Sequence, residues 1–377
     1  MTPKAKTAAK KPPDENDRLK AGTLPDDPEA DTVPLRDPTE DERRAALEAA
    51  RVGNFLNDAL ARMDARASGH EKPIPLPWPA VSAALGGGLW PGLHVLVGNT
   101  GSGKSQLALQ AALHAAKSGV PVLYVGLELG KVDLVARLVG LISNRRWSRL
   151  YLGTDPLELK DVIARFGEEL GELSRLPFHL EVASPFGWSY PVLWEKARAM
   201  REHYPEAKDE AGKPRPGTAP FLVVLDFLQL VSSPVEQHED LRERIGRAAY
   251  IGRAAARDLD AAVLLVSSTA RDNYGALNGD KDGKGPGLGE GSPARLVGLG
   301  KESGEVEYAA DSVLVLCREP WTGAEAPPEG TATWLAVAKV RAGVPGWVRL
   351  AFDGGVFRES AAPPAKRPDV RARSGDA

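Results

Sequence analysis

The sequence has little cysteine and no strong excess of either charge. Its single cysteine, Cys317, can form neither an internal disulfide nor a metal site built on several thiolates, so nothing indicates secretion or a zinc module. Lys and Arg total 48 against 51 Asp and Glu, which excludes a globally basic nucleic-acid binder. The sequence also lacks an apolar run of the roughly 20 residues that a membrane-spanning helix needs, and its N-terminus lacks the apolar segment of a signal peptide. We therefore expect a soluble, cytoplasmic protein without a membrane role.

The length and the apolar content allow a large core. With 377 residues, of which 42% are hydrophobic, the chain can form one large α/β domain with appendages or two small domains. Residues 1–38 are rich in Lys, Pro, Asp and Thr, and residues 361–377 have a similar polar composition. Segments with so few large apolar residues cannot offset the entropy lost on ordering. We expect both ends to be disordered tails.

An amphipathic helix is predicted after the first tail. Thr39 and Glu42 have the spacing of a capping box, and apolar residues then recur at helical spacing along one face. These residues are Val52, Phe55, Leu56, Ala59, Leu60 and Met63. The pattern predicts one helix from about Thr39 to Arg66, and prolines from Pro73 onward indicate an extended connection. We assign 39–72 to this helix and its connection. The helix docks either on its own domain or on a neighbouring subunit, and the sequence leaves both open.

The main domain, at 73–360, alternates short β-branched runs with helical segments. That alternation is typical of βαβ units and of a mainly parallel sheet covered on both faces. The predicted strands are 93–98, 121–128, 221–227, 262–268, 312–317 and 333–340. The predicted helices are 106–117, 131–142, 156–173, 190–204 and 239–259. Two segments interrupt the rhythm, the polar stretch 205–220 and the glycine-rich stretch 272–300, and a loop as long as the second is usually functional.

A phosphate-binding loop is predicted between the first strand and the first helix of this domain. The segment matches the pattern GxxxxGK[ST] and consists of Gly98, Asn99, Thr100, Gly101, Ser102, Gly103, Lys104 and Ser105. Glycines let the backbone curl so that successive N–H groups and the helix N-terminus point at an anion. In such a loop Lys104 reaches the β- and γ-phosphates, and Ser105 ligates Mg²⁺. The sequence therefore predicts a nucleotide site that uses Mg²⁺.

Two carboxylates are candidates for the same site. Asp226 ends the apolar run Phe-Leu-Val-Val-Leu-Asp, so it should emerge at the carboxyl edge of a central strand, where it can hold Mg²⁺ through water. Its alternative role as a helix cap is disfavoured because the following residues stay apolar. Glu128 ends the predicted strand that immediately follows the loop's helix, and a carboxylate there can orient and deprotonate water. A solvated loop residue is the alternative for Glu128.

The motifs occur in the order found in one known family. After the phosphate loop come Gly-Leu-Glu-Leu, Leu-Asp-Phe-Leu-Gln-Leu, Val-Ser-Ser, Lys-Glu-Ser-Gly-Glu-Val-Glu-Tyr-Ala-Ala-Asp and Ala-Lys-Val-Arg-Ala-Gly. Over roughly Ile74 to Glu359 the chain resembles the RecA-like motor domain of DnaB-type replicative helicases. The resemblance implies an ATPase of RecA-like fold, preceded by a linker helix, that forms a hexameric or other ring around single-stranded DNA. The linker helix would correspond to residues 39–66 and would dock on the adjacent subunit.

The resemblance also implies roles for individual residues. Glu128 matches the catalytic glutamate, Asp226 the magnesium-associated aspartate, and Lys339 with Arg341 the basic pair that reaches a neighbouring subunit's ATP. Solvated charges beside a final strand are the alternative for that pair. Ser268 stands where the family usually has Gln, the residue that senses the γ-phosphate. A shorter side chain there is expected to weaken or alter coupling to DNA, or to leave that role to Arg271.

Two functions are therefore considered. The first is an ATP-dependent DNA helicase or translocase in DNA replication, with a possible loader or replication partner. The second is a RecA-like ATPase that acts as an ATP-controlled assembly switch in recombination, defence or regulation, without strand unwinding. About seventy residues precede the motor, so the family's helical N-terminal domain is expected to be missing, which favours a phage, plasmid or mobile-element version or a partner-dependent ATPase.

Overall fold

The computed structural model describes most of the chain between residues 37 and 360. The described ranges are 37–182, 190–207, 219–226, 241–269, 288, 291–297, 304–318, 331–353 and 355–360. Both predicted tails, apart from residues 37 and 38, lie outside these ranges, as do Arg271 and most of the segment 272–300. The chain divides into two units, and the boundary in this part of the chain lies between Asp64 and Ala65.

The first unit contains the predicted amphipathic segment. The capping box is confirmed, because Thr39 Oγ1 accepts the N–H of Glu42 at 3.3 Å and Glu42 Oε2 accepts the N–H of Thr39 at 2.8 Å. The prediction of a single helix is wrong, since the structure has helix α1 (Glu40–Ala49) and helix α2 (Gly53–Ala67). Asn54 Nδ2 donates to the carbonyls of Glu48 and Ala49 at 2.7 and 3.2 Å. It thereby satisfies carbonyls that a continuous helix would pair with backbone N–H groups.

The apolar stripe of this segment is exposed. Its five large side chains are between 51% and 80% exposed, and they are Val52, Phe55, Leu56, Leu60 and Met63. Exposed apolar surface that continues along a helix is typical of a segment that packs on another molecule.

Within the described residues, a nine-stranded sheet forms the framework of the second unit, in the order β3-β2-β4-β5-β1-β6-β7-β8-β9. The strands are β1 (Gly92–Gly98), β2 (Val122–Gly126), β3 (Phe178–Val182), β4 (Leu222–Asp226), β5 (Ala262–Ser268), β6 (Ser312–Arg318), β7 (Thr331–Val340), β8 (Gly346–Asp353) and β9 (Val356–Glu359). The strands from β3 to β6 in this order pair in parallel, and β7, β8 and β9 are antiparallel additions. This confirms the predicted mainly parallel sheet, and it adds β3, β8 and β9 to the strands predicted from sequence.

Helices cover both faces of the sheet. Those of the second unit are α3 (Pro79–Ala84), α4 (Lys104–Lys117), α5 (Lys131–Ser143), α6 (Trp147–Leu152), α7 (Pro156–Leu173), α8 (Tyr190–His203), α9 (Leu241–Asp258) and α10 (Gly304–Ala309). Side chains of α3, α4 and α5 pack into one core cluster, on what we call the α4 face. Side chains of α8, α9 and α10 pack into a second cluster, on the α9 face. No helix in the described ranges is long and apolar enough to cross a membrane.

Alternation along the strands explains their nearly continuous apolar runs. In β1, Leu93, Val95 and Val97 point to the α9 face, whereas Leu96 belongs to the α4 face. A strand covered on both sides needs apolar residues at every position. The carboxyl ends of the parallel strands meet at one edge of the sheet, which we call the loop edge, and their amino ends form the opposite edge.

Candidate active site

The predicted phosphate loop joins β1 to α4 at the loop edge. Gly103 precedes the first residue of α4 with φ of +98°, and a Cβ there would lie 2.8 Å from the Phe357 ring. A Cβ on Gly98 would lie 2.9 Å from both the Leu316 carbonyl oxygen and Ser102 Oγ. Glycine is therefore required at both ends of the turn, by backbone conformation at Gly103 and by close approach at both.

Lys104 lies folded over this loop. Its Nζ donates to the carbonyl oxygens of Gly98 and Asn99, both at 2.8 Å, and the residue is 8% exposed. Burial lowers the pKa of Lys104 to about 8, although the negative charges of Asp226 and Glu128 act to raise it. Phosphate oxygens could replace the two carbonyls as acceptors, so the ammonium is placed to bind a triphosphate.

Asp226 is the buried carboxylate of the site. Ser105 Oγ donates to its Oδ1 at 3.1 Å and Tyr124 donates to its Oδ2 at 2.7 Å, while Asp226 is only 2% exposed. Burial raises the pKa of Asp226, and the hydrogen bonds from Tyr124 and Ser105 act to lower it. The structure therefore brings Asp226 beside the loop, as the strand pattern predicted. Sequence reasoning missed Tyr124, although a hydroxyl within a buried aliphatic strand signals a polar partner.

The site has the chemistry that a magnesium nucleotide requires. Mg²⁺ prefers oxygen ligands, and Ser105 and Asp226 offer a hydroxyl and a carboxylate side by side. Asn99 Oδ1 and Ser102 Oγ are buried in the loop and have no hydrogen-bond partner within the described part of the chain. Buried polar atoms are normally paired, so these two fit a site completed by a polar ligand. The metal and phosphate roles of these residues stay predictions.

Glu128 is the exposed carboxylate of the same edge. It follows β2, where the N–H of Leu127 donates to the Asp226 carbonyl at 2.7 Å. Its charge acts on its neighbours, because it raises the pKa values of both Lys104 and Asp226. An exposed carboxylate this close to a phosphate loop can contact a water molecule beside a bound nucleotide. Its predicted catalytic role stays a prediction, since exposure also fits a solvated loop residue.

Arg137 on α5 is a cation near the site that sequence reasoning missed. Its guanidinium lies 3.7 Å above the Trp147 ring, and its Nη1 donates to Gln106 Oε1 at 3.2 Å. Burial lowers its pKa, and the charges of Tyr124, Asp133, Asp226 and Glu128 act to raise it. The available signal was an arginine next to Leu138 on a helix that buries its apolar face.

Ser268 ends β5 opposite the first residue of the loop. Its register partner is Gly98, and the alternation that puts Leu264 and Val266 on the α4 face puts Ser268 there too. The following residue, Thr269, donates its N–H to the Gly98 carbonyl at 3.2 Å. The structure thus brings Ser268 to the loop, whereas Arg271, the alternative for its role, lies outside the described residues.

Lys339 and Arg341 lie at the opposite edge, away from these residues. Val340 pairs with Ser312 at the start of β6, whereas Gly98 pairs with Leu316. Four residues of strand separate these two levels, about 13 Å at 3.3 Å per residue. Lys339, which pairs with Val313, therefore lies about 10 Å along the strands from the level of Gly98 in its own chain, and Arg341, beyond Val340, lies more than about 13 Å from it.

A β-bulge in β7 sets the face of the sheet on which the Lys339 side chain lies. Val313 pairs with Lys339 but Leu314 pairs with Val337, so Ala338 is an extra residue in β7. Val337 before the bulge and Val340 after it both face the α4 side. Lys339 therefore emerges on the α9 face, where its Nζ donates to the Tyr308 carbonyl of α10 at 3.1 Å. The sequence pattern of β7 did not reveal this change of face.

Comparisons with known proteins agree with this architecture. The family model for the "DnaB-like helicase C terminal domain" matches residues 82–359. No curated protein matches this chain. A solved structure described as "The Structure Of A DnaB-Like Replicative Helicase And Its Interactions With Primase" is similar with a TM-score of 0.63 and 20% identity, over 82% of this chain and 66% of that chain. A second solved structure, described as an "ATPase Domain", is similar with a TM-score of 0.63 and 21% identity, over 82% of this chain and 98% of that chain.

At 20% and 21% identity, the likeness to these two solved structures establishes the fold alone. The chain spans just under two thirds of the length of the first solved structure. The predicted RecA-like fold is confirmed by this likeness. The family model covers well over half of the chain. This chain therefore belongs to the DnaB-like helicase C-terminal domain family.

Proposed function

We propose that this chain is an ATP-dependent DNA helicase or translocase of the DnaB-like class, which acts on single-stranded DNA as a ring in DNA replication. Membership of the family implies an NTP hydrolase. One observation supports the ring most strongly: the loop lies at one edge of the sheet, and Lys339 and Arg341 lie at the other. A chain that needs both for hydrolysis must obtain the cations from a neighbouring copy.

The residues of one copy divide the work at the loop edge. The loop N–H groups and Lys104 bind the phosphates of ATP, and Ser105 with Asp226 would hold Mg²⁺. The bound metal supplies positive charge that offsets charge developing on the phosphate oxygens. Glu128 orients the attacking water and accepts its proton.

A second copy completes the site. Its Lys339 and Arg341 would stabilise the charge on the transferring phosphoryl group, which makes turnover conditional on assembly. Closing this head-to-tail contact on itself gives a ring. By resemblance to the family we propose a hexamer, and the ring size is part of this proposal.

The exposed stripe of α1 and α2 is proposed as the linker contact of that ring. Its five large apolar side chains need a partner, and a neighbouring copy is the partner that the family resemblance implies. This assigns 39–72 to a linker and 73–360 to the ATPase domain. The DNA assignment rests on the family, because most of segment 272–300, which would face the channel, lies outside the described residues.

ATP turnover and strand separation test the proposal together. We expect turnover by the full chain with Mg²⁺ to rise when poly-dT is added, and a forked duplex to be unwound in the presence of ATP. Arg341→Ala should keep ATP binding and lose turnover, whereas Lys104→Ala should lose both. No response to any nucleic acid in either assay would overturn the motor function.

The serine at position 268 favours a second candidate function, the assembly switch. A serine next to Gly98 reaches less far than the glutamine usual in the family, so nucleotide state and DNA binding would be weakly coupled. The chain would then act as an ATP-controlled assembly switch with DNA-independent turnover. ATP-dependent oligomers without unwinding would support the switch, and robust unwinding would exclude it.

A further inference from the structure

Asp311 joins Arg341 to the start of β1. It lies between α10 and β6, and its Oδ1 contacts Arg341 Nε at 2.9 Å. Its other oxygen, Oδ2, accepts the N–H of Leu93 at 2.8 Å. One carboxylate therefore links the arginine that is proposed to serve a neighbouring copy with the strand that leads to the loop of its own copy.

The carboxylate is held firmly on the β1 side. The N–H of Asp311 donates to the Leu93 carbonyl at 2.7 Å, and the N–H of Arg341 donates to the Asp311 carbonyl at 2.9 Å. A Cβ on Gly92 would lie 2.7 Å from Asp311 Oδ2, so the approach of this oxygen to β1 requires a glycine there. Three hydrogen bonds and a glycine thus fix the position of Asp311, whatever the Arg341 side chain does.

Within the described residues, one ion pair holds the Arg341 side chain. In the described part of the chain its ion pair with Asp311 runs through Nε, and the two side chains are 52% and 27% exposed respectively. Ion pairs this exposed contribute little to stability, so the contact is a weak source of folding free energy. A guanidinium held through Nε still presents its two Nη groups as a planar fork, the geometry that binds phosphate oxygens.

We propose that Asp311 is a positioning residue for Arg341, orienting its Nη groups towards the nucleotide of the adjacent copy. Asp311 does not touch that nucleotide. Because Leu93 and Gly98 are the second and last residues of β1, the same contact also connects the cation of one site to the loop of the next. This inference rests on the proposed function, in which Arg341 acts in trans.

Oligomers mixed from two variants can test separately whether Arg341 acts in trans and whether Asp311 positions it. Arg341→Ala copies bind ATP but lack the cation, and Lys104→Ala copies supply the cation but cannot bind ATP. An equal mixture should recover turnover that neither variant has alone. The test replaces the donor with Lys104→Ala/Asp311→Asn, whose own site is already inactive, so any loss must act through what this copy supplies to its neighbour. The new asparagine side chain keeps an oxygen for the Leu93 N–H but cannot pair with a guanidinium as a carboxylate does.

We expect the Asp311→Asn donor to restore roughly five- to tenfold less turnover than the Lys104→Ala donor, at unchanged KM for ATP, because misplacing a catalytic group lowers kcat. A Lys104→Ala/Glu181→Gln donor is the matched control. It breaks a carboxylate-lysine pair of comparable exposure on β3, at the other end of the sheet, and should restore full turnover. Asp311→Ser gives a second donor, should the asparagine variant fold poorly.

Each outcome bears on one claim. If the Arg341→Ala and Lys104→Ala mixture stays inactive although the two variants co-assemble, the proposed function fails at its trans step. If that mixture is active and both Asp311 donors restore it fully, Asp311 does not position Arg341. The last arm keeps the Lys104→Ala donor and uses Arg341→Ala/Asp311→Asn as the ATP-binding copy. A lower turnover than with Arg341→Ala as the ATP-binding copy would also overturn the inference, because that copy has no arginine to be positioned.

Discussion

At the loop edge Lys104 and Asp226 are buried and partnered within one chain, whereas at the opposite edge the Arg341 side chain is half exposed and held through Nε. Asp226 receives hydrogen bonds on both oxygens, and Lys104 donates to two carbonyls. In the part of the chain that the structure describes, the Arg341 side chain has one ion pair, with a partly exposed aspartate. In the proposed function, the loop edge binds the nucleotide within one copy, while the opposite edge supplies cations to a neighbouring copy. Substitutions at the two edges should therefore fail in different ways.

Lys104→Ala should produce the largest effect. It removes two charge-assisted contacts to phosphate, each about 1.5–3 kcal/mol, so affinity for a non-hydrolysable ATP analogue should fall roughly 10²- to 10⁴-fold. Titration calorimetry measures this affinity. Arg341→Ala is the matched control from the other edge and should change affinity by less than about threefold. Equal losses in both variants would remove the distinction between the edges.

Glu128→Gln should separate binding from chemistry within the loop edge. The amide keeps the size of the side chain but cannot accept a proton, and general-base catalysis contributes about 10²- to 10⁴-fold. We therefore expect a fall in kcat of that order, with analogue affinity nearly unchanged, measured by steady-state turnover and calorimetry. If turnover stays within a few-fold of the parent, Glu128 is the solvated loop residue that was its alternative.

The sequence revealed the loop edge more completely than the opposite edge. Gly98, Lys104, Glu128 and Asp226 sit at or just beyond the ends of apolar strands, and the carboxyl ends of parallel strands must converge, so their proximity follows from pattern alone. Contacts that depend on three-dimensional packing were missed. The bulge at Ala338, which turns Lys339 to the α9 face, leaves no trace in an apolar strand pattern.

The same limit explains the error in the first unit. The helical periodicity of 39–66 was correct, but the break between α1 and α2 depends on one side chain, Asn54, which bonds to carbonyls of the preceding turn. A hydrophobic pattern records which face is apolar. It does not record where a polar side chain competes for the backbone.

Tyr124→Phe should weaken the loop edge more modestly. The phenol hydrogen-bonds to Asp226 Oδ2 and the ring stacks on Phe178 at 6.3 Å, so phenylalanine keeps the packing and removes the donor. A hydrogen bond to a charged group contributes about 1.5 kcal/mol or more, and we expect the Mg²⁺ concentration for half-maximal analogue binding to rise roughly tenfold. Tyr308→Phe, at an 80% exposed tyrosine, is the control. An unchanged Mg²⁺ requirement in Tyr124→Phe would mean that Ser105 alone orients the carboxylate.

The number of protons taken up when the nucleotide binds should be the smallest of these effects, and it should report on Lys104 at the loop edge and not on Arg341 at the opposite edge. Burial lowers the pKa of Lys104 to about 8 in the nucleotide-free protein, and a bound triphosphate must raise it, because negative charge favours the ammonium. At pH 8 about half of the Lys104 side chains are neutral, so binding should take up about half a proton, little at pH 7 and nearly one at pH 9. Calorimetry in buffers of different ionisation enthalpy measures this number. Arg341→Ala should show the same uptake, because an arginine stays charged between pH 7 and pH 9 and is therefore not the group that gains the proton. Uptake that stays flat or falls between pH 7 and pH 9 would show that Lys104 is already fully charged before the nucleotide arrives, and that its burial does not set its protonation.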